Sequence, residues 1–387
     1  MPAPKTGSSR KRTTVTRHYP ELAAENPRFL SEQLITYLGN KRQLLGQVEA
    51  AVLEVKERLG KDTLVCFDAF SGSGVVSRLF KRHASHVISN DLEAYAARIG
   101  RCYLSNACDV DLDRISQIVA DFNARVDSED MEVGFLEELY APRDEDAITA
   151  DDRVFYTRKN ARRLDRYRRM IEDTPADLHD YLLAPLMSRA SVHANTSGVF
   201  KGFYKNSAGI GQFGGTGRNS LGRILGDIVM DVPVLSRHRS SFEMIQGDAN
   251  ETARSIGPVD FAYFDPPYNQ HPYGSNYFML NLLDRYQRPE KISRVSGIPA
   301  DWNRSPYNKK AHALAAMSDL VASTQARFIA VSFNNEGFIS TQEMTTMLSE
   351  HGPVSLVEIP YAVFRGSRNL AARSTKVVEQ LFLLDRR

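Results

Sequence analysis

The sequence predicts an α/β protein with a mostly parallel sheet and one helical and loop region inserted into it. Apolar runs of strand length alternate with helix-like stretches from about residue 62 to residue 104. The same alternation returns after residue 241, while the stretch between lacks it. Strand–helix–strand order indicates parallel strands, because a parallel pair needs a long crossover connection.

Composition sets the outer limits of the interpretation. The chain has 387 residues, of which 42% are hydrophobic and 25% are charged, both ordinary for a globular protein. No apolar run approaches the roughly 20 residues that span a bilayer. The three cysteines have neither a disulfide pattern nor zinc spacing. We therefore expect a cytoplasmic protein with no membrane contact and no metal.

The chain divides into four predicted stretches. Residues 1–27 are rich in Pro, Ser, Thr and basic residues, which predicts a disordered basic tail without the apolar core of a secretory signal. Residues 28–109 and 241–387 form one α/β domain. Residues 110–240 form an insertion, with a basic helix and a glycine-rich loop.

Six strands are predicted in order. "TLVCF" and "HVISND" precede the insertion, and each is followed by a helix. "FEMIQ", "VDFAYFD", "RFIAVSF" and "VVEQLFLLD" follow the insertion.

A glycine loop, "DAFSGSG", follows the first strand and opens a helix. Gly72 and Gly74 permit positive φ and a close approach of a ligand to the backbone. Asp91 ends the next strand, where an acid can accept hydrogen bonds from ribose hydroxyls. Ser77 stands where a dinucleotide fingerprint has Gly or Ala, which disfavours NAD. Asp68, ahead of the glycines, suits a ligand with an amino group, such as S-adenosylmethionine; a plain structural turn is the alternative.

Two further elements fit the same ligand. "TYLGNKR" places Tyr37 and Lys41 on a loop before a helix, where Lys41 could pair with the methionine carboxylate. Asp248 follows a short strand and could accept a hydrogen bond from the cofactor's adenine amino group. The alternatives are a surface lysine and a helix cap.

The segment Asp265-Pro266-Pro267-Tyr268 follows the apolar strand "VDFAYF". Each proline fixes φ and lacks an N–H, and the residue before a proline is kept out of the helical region. The acid and the ring therefore lie on a stiff loop at the end of a strand. A proline-rich turn that only closes the strand is the alternative.

Taken in order, these motifs resemble the DNA adenine-N6 methyltransferases, most closely the branch that includes Dam. The likeness covers most of the chain and includes "TYLGNKRQLL", "DAFSGSG", "ND", "GD", "DPPY", "SFNNEGF" and "PYAVFRGSRN". It implies a Rossmann-like methyltransferase fold that uses S-adenosylmethionine and places the target-recognition region in the insertion. The cofactor residues that it implies are Tyr37, Lys41, Asp68, Phe70, Gly72, Gly74, Asp91, Asp248 and Asp265.

The resemblance also implies how transfer would proceed. Asp265 and the main-chain carbonyl of Pro266 would accept the two hydrogens of the adenine amino group, so that its lone pair can attack the methyl carbon. Placed acceptors of this kind act through positioning and electrostatics. The adenine must leave the duplex to reach them, and Tyr268 would stack on the flipped base.

Double-stranded DNA is the expected partner, and the chain is expected to act as a monomer, with or without a cognate restriction endonuclease. Phosphate contacts are expected from basic residues of the insertion and of a late loop. These residues are Arg162, Arg163, Arg166, Lys201, Lys205, Arg365 and Arg368.

Three alternatives stay open at this stage. The same four-residue logic serves RNA or any other planar amino nitrogen. A DNA-binding protein could keep the fold and be catalytically silent, although an intact "DPPY" speaks against it. An NAD-dependent enzyme is disfavoured by Ser77.

Overall fold

A computed structural model describes residues 25–128, 132–215, 217, 220–362 and 376–387. Its centre is one sheet of seven strands in the described part. The strands are β1 Leu64–Asp68, β2 Ala84–Asp91, β3 Ser241–Gln246, β4 Val259–Phe264, β5 Ala326–Asn334, β6 Val354–Ala362 and β7 Lys376–Asp385.

The strand order is β3-β2-β1-β4-β5-β7-β6. The first five strands are parallel, and β7 pairs antiparallel with both β5 and β6. The predicted mostly parallel α/β sheet is therefore confirmed. The chain passes from β1 outward to β2 and returns to β4 on the other side of β1, so the strand order switches there. Ligands of open α/β sheets bind at such a switch point, outside the carboxyl ends of the strands.

Helices cover both faces of the sheet and fill the insertion. They are α1 Arg28–Ser31, α2 Leu45–Leu59, α3 Val75–Phe80, α4 Ala94–Tyr103, α5 Leu112–Arg125, α6 Phe135–Tyr140, α7 Arg158–Glu172, α8 His179–His193, α9 Leu221–Leu225, α10 Ala249–Ser255, α11 Tyr273–Asn276, α12 Phe278–Arg285, α13 Lys310–Ser323 and α14 Thr341–Ser349. Helices α5 to α9 lie between β2 and β3. No helix in the described residues has both the length and the apolar character needed to cross a membrane.

The central strand β4 shows why this sequence forms a parallel sheet. All six residues of "VDFAYF" are buried, and the strand is hydrogen-bonded to β1 on one side and β5 on the other. A parallel strand covered on both faces reads as a near-continuous apolar run, as here. The loop that follows β4 is thus anchored at the middle of the molecule.

The insertion shares a hydrophobic core with the rest of the chain. Leu164 of α7 and Leu182 of α8 belong to the same buried cluster as Tyr95 of α4 and Phe278 of α12. Burial of these side chains against one another couples the insertion to the helices that follow β2 and β4. The division of the chain into domains stays a prediction.

The structure differs from the sequence prediction in two places. Strand β6 was not predicted, and the predicted loop "PYAVFRGSRN" begins inside it. β6 pairs only with β7 among the described strands, and an edge strand tolerates Pro360 and shows weak alternation. At the other end, Glu25 closes the predicted tail yet accepts hydrogen bonds from Ser236 Oγ at 2.6 Å and Arg237 N at 2.9 Å. Residues 1–24 lie outside the described part.

Candidate active site

A cavity opens at the carboxyl ends of β1, β2 and β4. Its wall combines aromatic and apolar side chains with a few polar groups, as small-molecule sites do. Its wall contains all the predicted cofactor residues except Gly74, which instead forms the N-cap of α3. The residues brought together are Tyr37, Lys41, Phe70, Gly72, Asp68, Asp91, Asp248 and Asp265.

The glycine loop packs directly beneath an aromatic side chain. Gly72 has φ +52°, and a Cβ added there would lie 2.8 Å from the Tyr37 ring. That ring stacks on Tyr273 and on Tyr277, with centroids 5.0 Å apart in each case. Both the backbone conformation and the lack of space therefore require glycine at this position.

Asp68 offers an acceptor that no group of the protein uses among the described residues. Its Oδ2 atom accepts a hydrogen bond from Ser77 Oγ at 2.5 Å, whereas the buried Oδ1 atom has no partner. Burial raises the pKa of Asp68 to about 7, against the opposing effect of Ser77. A buried acceptor without a donor is costly, so the cavity favours a ligand that carries an amino group.

Asp91 holds two backbone segments at the end of β2. Its carboxylate accepts from Gly72 N at 2.7 Å and from Glu93 N at 2.9 Å, and burial raises its pKa to about 6. The neighbouring Asn90 donates to Ala69 O and Gly247 O. The ends of β1, β2 and β3 are thus tied together around the cavity.

Asp248 lies in the cavity wall and also caps α10. It accepts from Asn250 N at 2.9 Å and from Glu251 N at 3.3 Å. The helix-cap reading considered for this residue is therefore observed. Contact with a cofactor stays a prediction, and a carboxylate can serve both purposes because it has about four lone-pair sites.

Asp265 follows β4 and forms an ion pair with Lys41, whose Nζ lies 2.9 Å from Asp265 Oδ1. Burial raises the pKa of Asp265 to about 6, and Lys41 opposes that shift. Lys41 is only 4% exposed, and its Nζ lies 2.8 Å from Glu379 Oε1. The predicted pairing of Lys41 with a cofactor carboxylate stays a prediction, and two carboxylates of the chain already contact this ammonium.

The ring of Tyr268 lies beside the same ion pair. Lys41 Nζ is 6.0 Å from its centroid, and Phe333 of β5 packs on it edge-on at 6.2 Å. The Tyr268 carbonyl accepts from Phe338 N at 3.0 Å, which connects this loop to the "SFNNEGF" segment. The end of β5 therefore holds the aromatic side chain beside Lys41, a wall residue, although neither Tyr268 nor Pro266 lines the cavity itself.

Two predicted DNA-binding arginines are used inside the fold instead. Arg163 and Arg166 are buried and donate to the carbonyl groups of Ile228 and Val126, respectively. Arg162 forms two hydrogen bonds with the Glu137 carboxylate, at 2.7 and 2.8 Å, but its side chain remains 41% exposed. The phosphate contact of Arg162 therefore stays a prediction, whereas the buried guanidinium groups of Arg163 and Arg166 satisfy carbonyls of the insertion.

Lys201 and Lys205 are exposed on the loop between α8 and α9. Phe200 N in this loop donates to Asn276 O at 2.7 Å, which fixes the loop to the segment after Asp265. Burial and then the charge of Lys201 lower the pKa of His271 in that segment. Lys201 thus stands beside the segment that follows Asp265, while Arg365 and Arg368 lie outside the described residues.

Several wall or contact residues were missed by sequence reasoning. Glu379 is the one acid among the first nine residues of the strand "KVVEQLFLLD", a signal that an inward charge has a partner. Glu93 follows Asp91 closely and accepts from Asn281 Nδ2 at 2.6 Å. The others, Tyr273, Asn303 and Tyr307, lie on loops or short helices and leave no pattern in the sequence.

Comparison with known proteins agrees with this geometry. The family model of D12 class N6 adenine-specific DNA methyltransferases matches residues 37–212 and 234–347. The type II methyltransferase M.NlaIII of Neisseria lactamica is 26% identical over 362 residues, which cover 91% of this chain and 99% of that protein. The type II methyltransferase M.CviAII of Paramecium bursaria Chlorella virus 1 is 28% identical over 361 residues, covering 90% and 98%. The modification methylase StsI of Streptococcus sanguinis is 27% identical over 369 residues, covering 91% and 52%.

Proposed function

The chain belongs to the D12 class of N6 adenine-specific DNA methyltransferases, and from that premise we propose which of its residues perform the transfer and with which donor. Its activity is site-specific methylation of adenine in DNA. The observation that carries the proposal is the position of Asp265, held by Lys41 in the wall of a cavity at the switch point of the sheet. We propose S-adenosylmethionine as the methyl donor.

The residues of the cavity fit this donor. It supplies, when bound, an electrophilic methyl group on a positively charged sulfonium. The partnerless Oδ1 atom of Asp68 would accept from its amino group, and Asp91 and Asp248 would accept from its ribose and adenine. Gly72 lets the Tyr37 ring pack directly on the loop, which places this wall side chain beside the ligand. Contacts are also proposed for Tyr37, Lys41, Phe70, Gly74 and Asp265.

Asp265 and Pro266 would prepare the target amino group. The Asp265 carboxylate accepts one hydrogen of the amino group and the Pro266 carbonyl accepts the other, which frees the nitrogen lone pair for attack. Asp265 has to be ionised for this role, and with a pKa of about 6 it is mostly ionised at neutral pH. The increase in the rate of transfer comes from acceptors held in fixed positions rather than from a covalent intermediate.

The target base has to leave the duplex, at a cost of a few kcal/mol. We propose that Tyr268 stacks on the flipped adenine, since stacking on an aromatic ring recovers roughly 1–3 kcal/mol per base. Its ring is already held near Asp265 by Phe333 and Lys41.

The insertion, residues 110–240, is proposed as the target-recognition region. Lys201 and Lys205 are proposed phosphate contacts because both are exposed on a loop of the insertion and Lys201 lies beside the segment that follows Asp265. Arg365 and Arg368 belong to the same proposal. The relatives are named type II methyltransferases and modification methylases, so we propose that a cognate restriction endonuclease accompanies this protein, which itself acts as a monomer in the cytoplasm.

The test is single-molecule sequencing of DNA from cells that express the protein, beside cells that express Asp265→Ala. We expect N6-methyladenine at one short sequence with the wild type and none with the variant, although the variant folds and binds S-adenosylmethionine. Methylation by Asp265→Ala at a near wild-type rate would overturn the proposed role of this carboxylate.

A further inference from the structure

A row of buried charges links the last strand of the sheet to Asp265. Glu379 of β7 is 2% exposed, and its Oε1 atom lies 2.8 Å from Lys41 Nζ. Lys41 Nζ lies 2.9 Å from Asp265 Oδ1. The transfer mechanism proposed above uses only the Asp265 end of this anion–cation–anion row.

The row is fixed at its far end. Ser332 Oγ of β5 donates to Glu379 Oε1 at 2.9 Å. Because β5 and β7 pair directly, with Glu379 opposite Asn334, the carboxylate stands on a rigid sheet. Removing one partner from a buried ion pair leaves an uncompensated charge, which is strongly unfavourable. The Lys41 ammonium therefore cannot follow a movement of Asp265 without lengthening its ion pair with Glu379.

We propose that Glu379 is a positioning residue for methyl transfer: by anchoring the Lys41 ammonium, it fixes the orientation in which the Asp265 carboxylate meets the target amino group. Lys41 contacts Oδ1 of Asp265, which assigns the Oδ2 atom to the amino hydrogen. The inference rests on the catalytic role proposed for Asp265. It gives a function to a charge on the last strand that fold stability alone does not require, since an apolar pair of similar volume is often as stable.

The charge state of Asp265 then depends on both neighbours. The Glu379 charge raises the pKa of Asp265 and the Lys41 charge lowers it, after the larger effect of burial. Three tyrosines face the same carboxyl, and burial raises the pKa of each above its ordinary value, so they stay neutral near pH 7. These tyrosines are Tyr263, Tyr268 and Tyr273; the other acid close by is Asp68.

The experiment measures kcat and KM across pH for Glu379→Ala and Glu379→Gln. The substrates are plasmid DNA from a strain without adenine methylation and S-adenosylmethionine with a labelled methyl group. For Glu379→Ala we expect kcat to fall about 100-fold, as for other small displacements of a catalytic group, with both KM values within threefold. For Glu379→Gln we expect a smaller loss and an acid limb at lower pH, because removing the neighbouring anion lowers the pKa of Asp265.

Asp260→Asn is the matched control. Asp260 is likewise buried in the sheet and pairs with a lysine, since Lys61 Nζ lies 2.7 Å from its Oδ1 atom, but it stands at the start of β4, away from the cavity. We expect this variant to lose stability without a shift of the acid limb. An unchanged kcat and acid limb in both Glu379 variants would overturn the inference.

Two further results separate the possible failures. If Glu379→Ala does not fold, the pH profile of Glu379→Gln decides by itself. If Asp265→Asn remains active, the proposed function of Asp265 fails; if Asp265→Asn is inactive while the Glu379 variants behave as wild type, only the positioning role fails.

Discussion

Four carboxyl groups converge on the cavity, three of them buried and that of Asp265 partly buried, and loss of solvent raises the pKa of each one. The pKa is about 7 for Asp68 and Glu93 and about 6 for Asp91 and Asp265. Among the described residues of the cavity wall, Lys41 is the one cation. A site with this excess of acids is matched to a positively charged ligand.

Asp68→Asn tests this match by stability. The pKa of Asp68 is raised above its unfolded value, so its favourable contribution is complete below about pH 4 and is lost as the pH rises through about 7. Without ligand, we expect the variant to unfold at a higher temperature than the wild type at pH 8, with the difference shrinking below pH 7 and vanishing near pH 4. Thermal unfolding by circular dichroism measures it. A variant that is less stable than the wild type at pH 8 would contradict the prediction.

Asp68→Asn should also weaken the binding of S-adenosylmethionine. A hydrogen bond to a charged group contributes about 1.5–3 kcal/mol, so we expect the dissociation constant to rise about 10- to 100-fold. Calorimetric titration of the purified protein gives the value. Ser323→Ala, at the end of α13 and outside the cavity wall, is a control that should bind like the wild type.

Lys41→Met tests the protonation of the catalytic carboxyl. Asp265 accepts a hydrogen only when ionised, so wild-type kcat should fall as the pH drops through about 6. Lys41 lowers the pKa of Asp265, so removing the ammonium raises it. The midpoint of the acid limb should therefore move to higher pH in single-turnover kinetics, the direction opposite to Glu379→Gln. A midpoint that does not move would mean that Lys41 does not control the charge of Asp265.

At the scale of elements, the glycine loop and the ends of the strands position the side chains of the cavity wall. Gly72 lies at φ +52° beneath Tyr37, and Gly74 at φ +74° begins α3. The loop is tight because it has to connect the end of β1 at Asp68 with the start of α3 at Val75 beside the cavity. A change of one atom in the loop is therefore expected to act on the ligand and on Tyr37 together.

Gly72→Ala should disrupt both the binding of the ligand and the packing of Tyr37. The added methyl group would lie 2.8 Å from the Tyr37 ring in a backbone conformation that L-residues rarely adopt. We expect a loss of about 1–3 kcal/mol of unfolding free energy and no measurable S-adenosylmethionine binding. Gly46→Ala is the matched control: it lies within α2, a Cβ there meets nothing within 4 Å, and alanine favours a helix by about 0.5–1 kcal/mol. Equal behaviour of the two variants in denaturant unfolding and ligand titration would refute this account.

Elements with strong local signals were predictable from sequence. Strand β4 is apolar throughout, and the strand–glycine–helix order around Gly72 has few other readings. Strand β6 was missed because an edge strand is covered on one side only, so Leu356 and Val357 are both partly exposed and the alternation disappears. Strands that are covered on both sides can therefore be predicted from local sequence, whereas edge strands often cannot.

At the scale of the whole molecule, partners that are distant in sequence escaped prediction. Lys41 and Glu379 lie near opposite ends of the described chain. They meet because β7 pairs with β5 in the sheet and so places Glu379 beside Lys41. Similarly, the arginines of α7 looked like a nucleic-acid surface because their number was visible and their buried partners were not. Sequence shows which charges exist, while the fold decides which of them remain available to DNA.

Lys201 and Lys205 are exposed charges on the loop between α8 and α9, and their contribution to DNA binding can be measured through its salt dependence. A phosphate contact releases counterions, so each lost contact should reduce the slope of log affinity against log salt by about 1. For Lys201→Ala/Lys205→Ala we expect a slope reduced by about 2, with weaker binding to all sequences and an unchanged recognition sequence. Arg327→Ala removes an exposed charge near the start of β5, at the opposite edge of the sheet, and should keep the wild-type slope. If both variants have the same slope, the loop between α8 and α9 does not contact the DNA backbone, and recognition has to come from another part of the insertion.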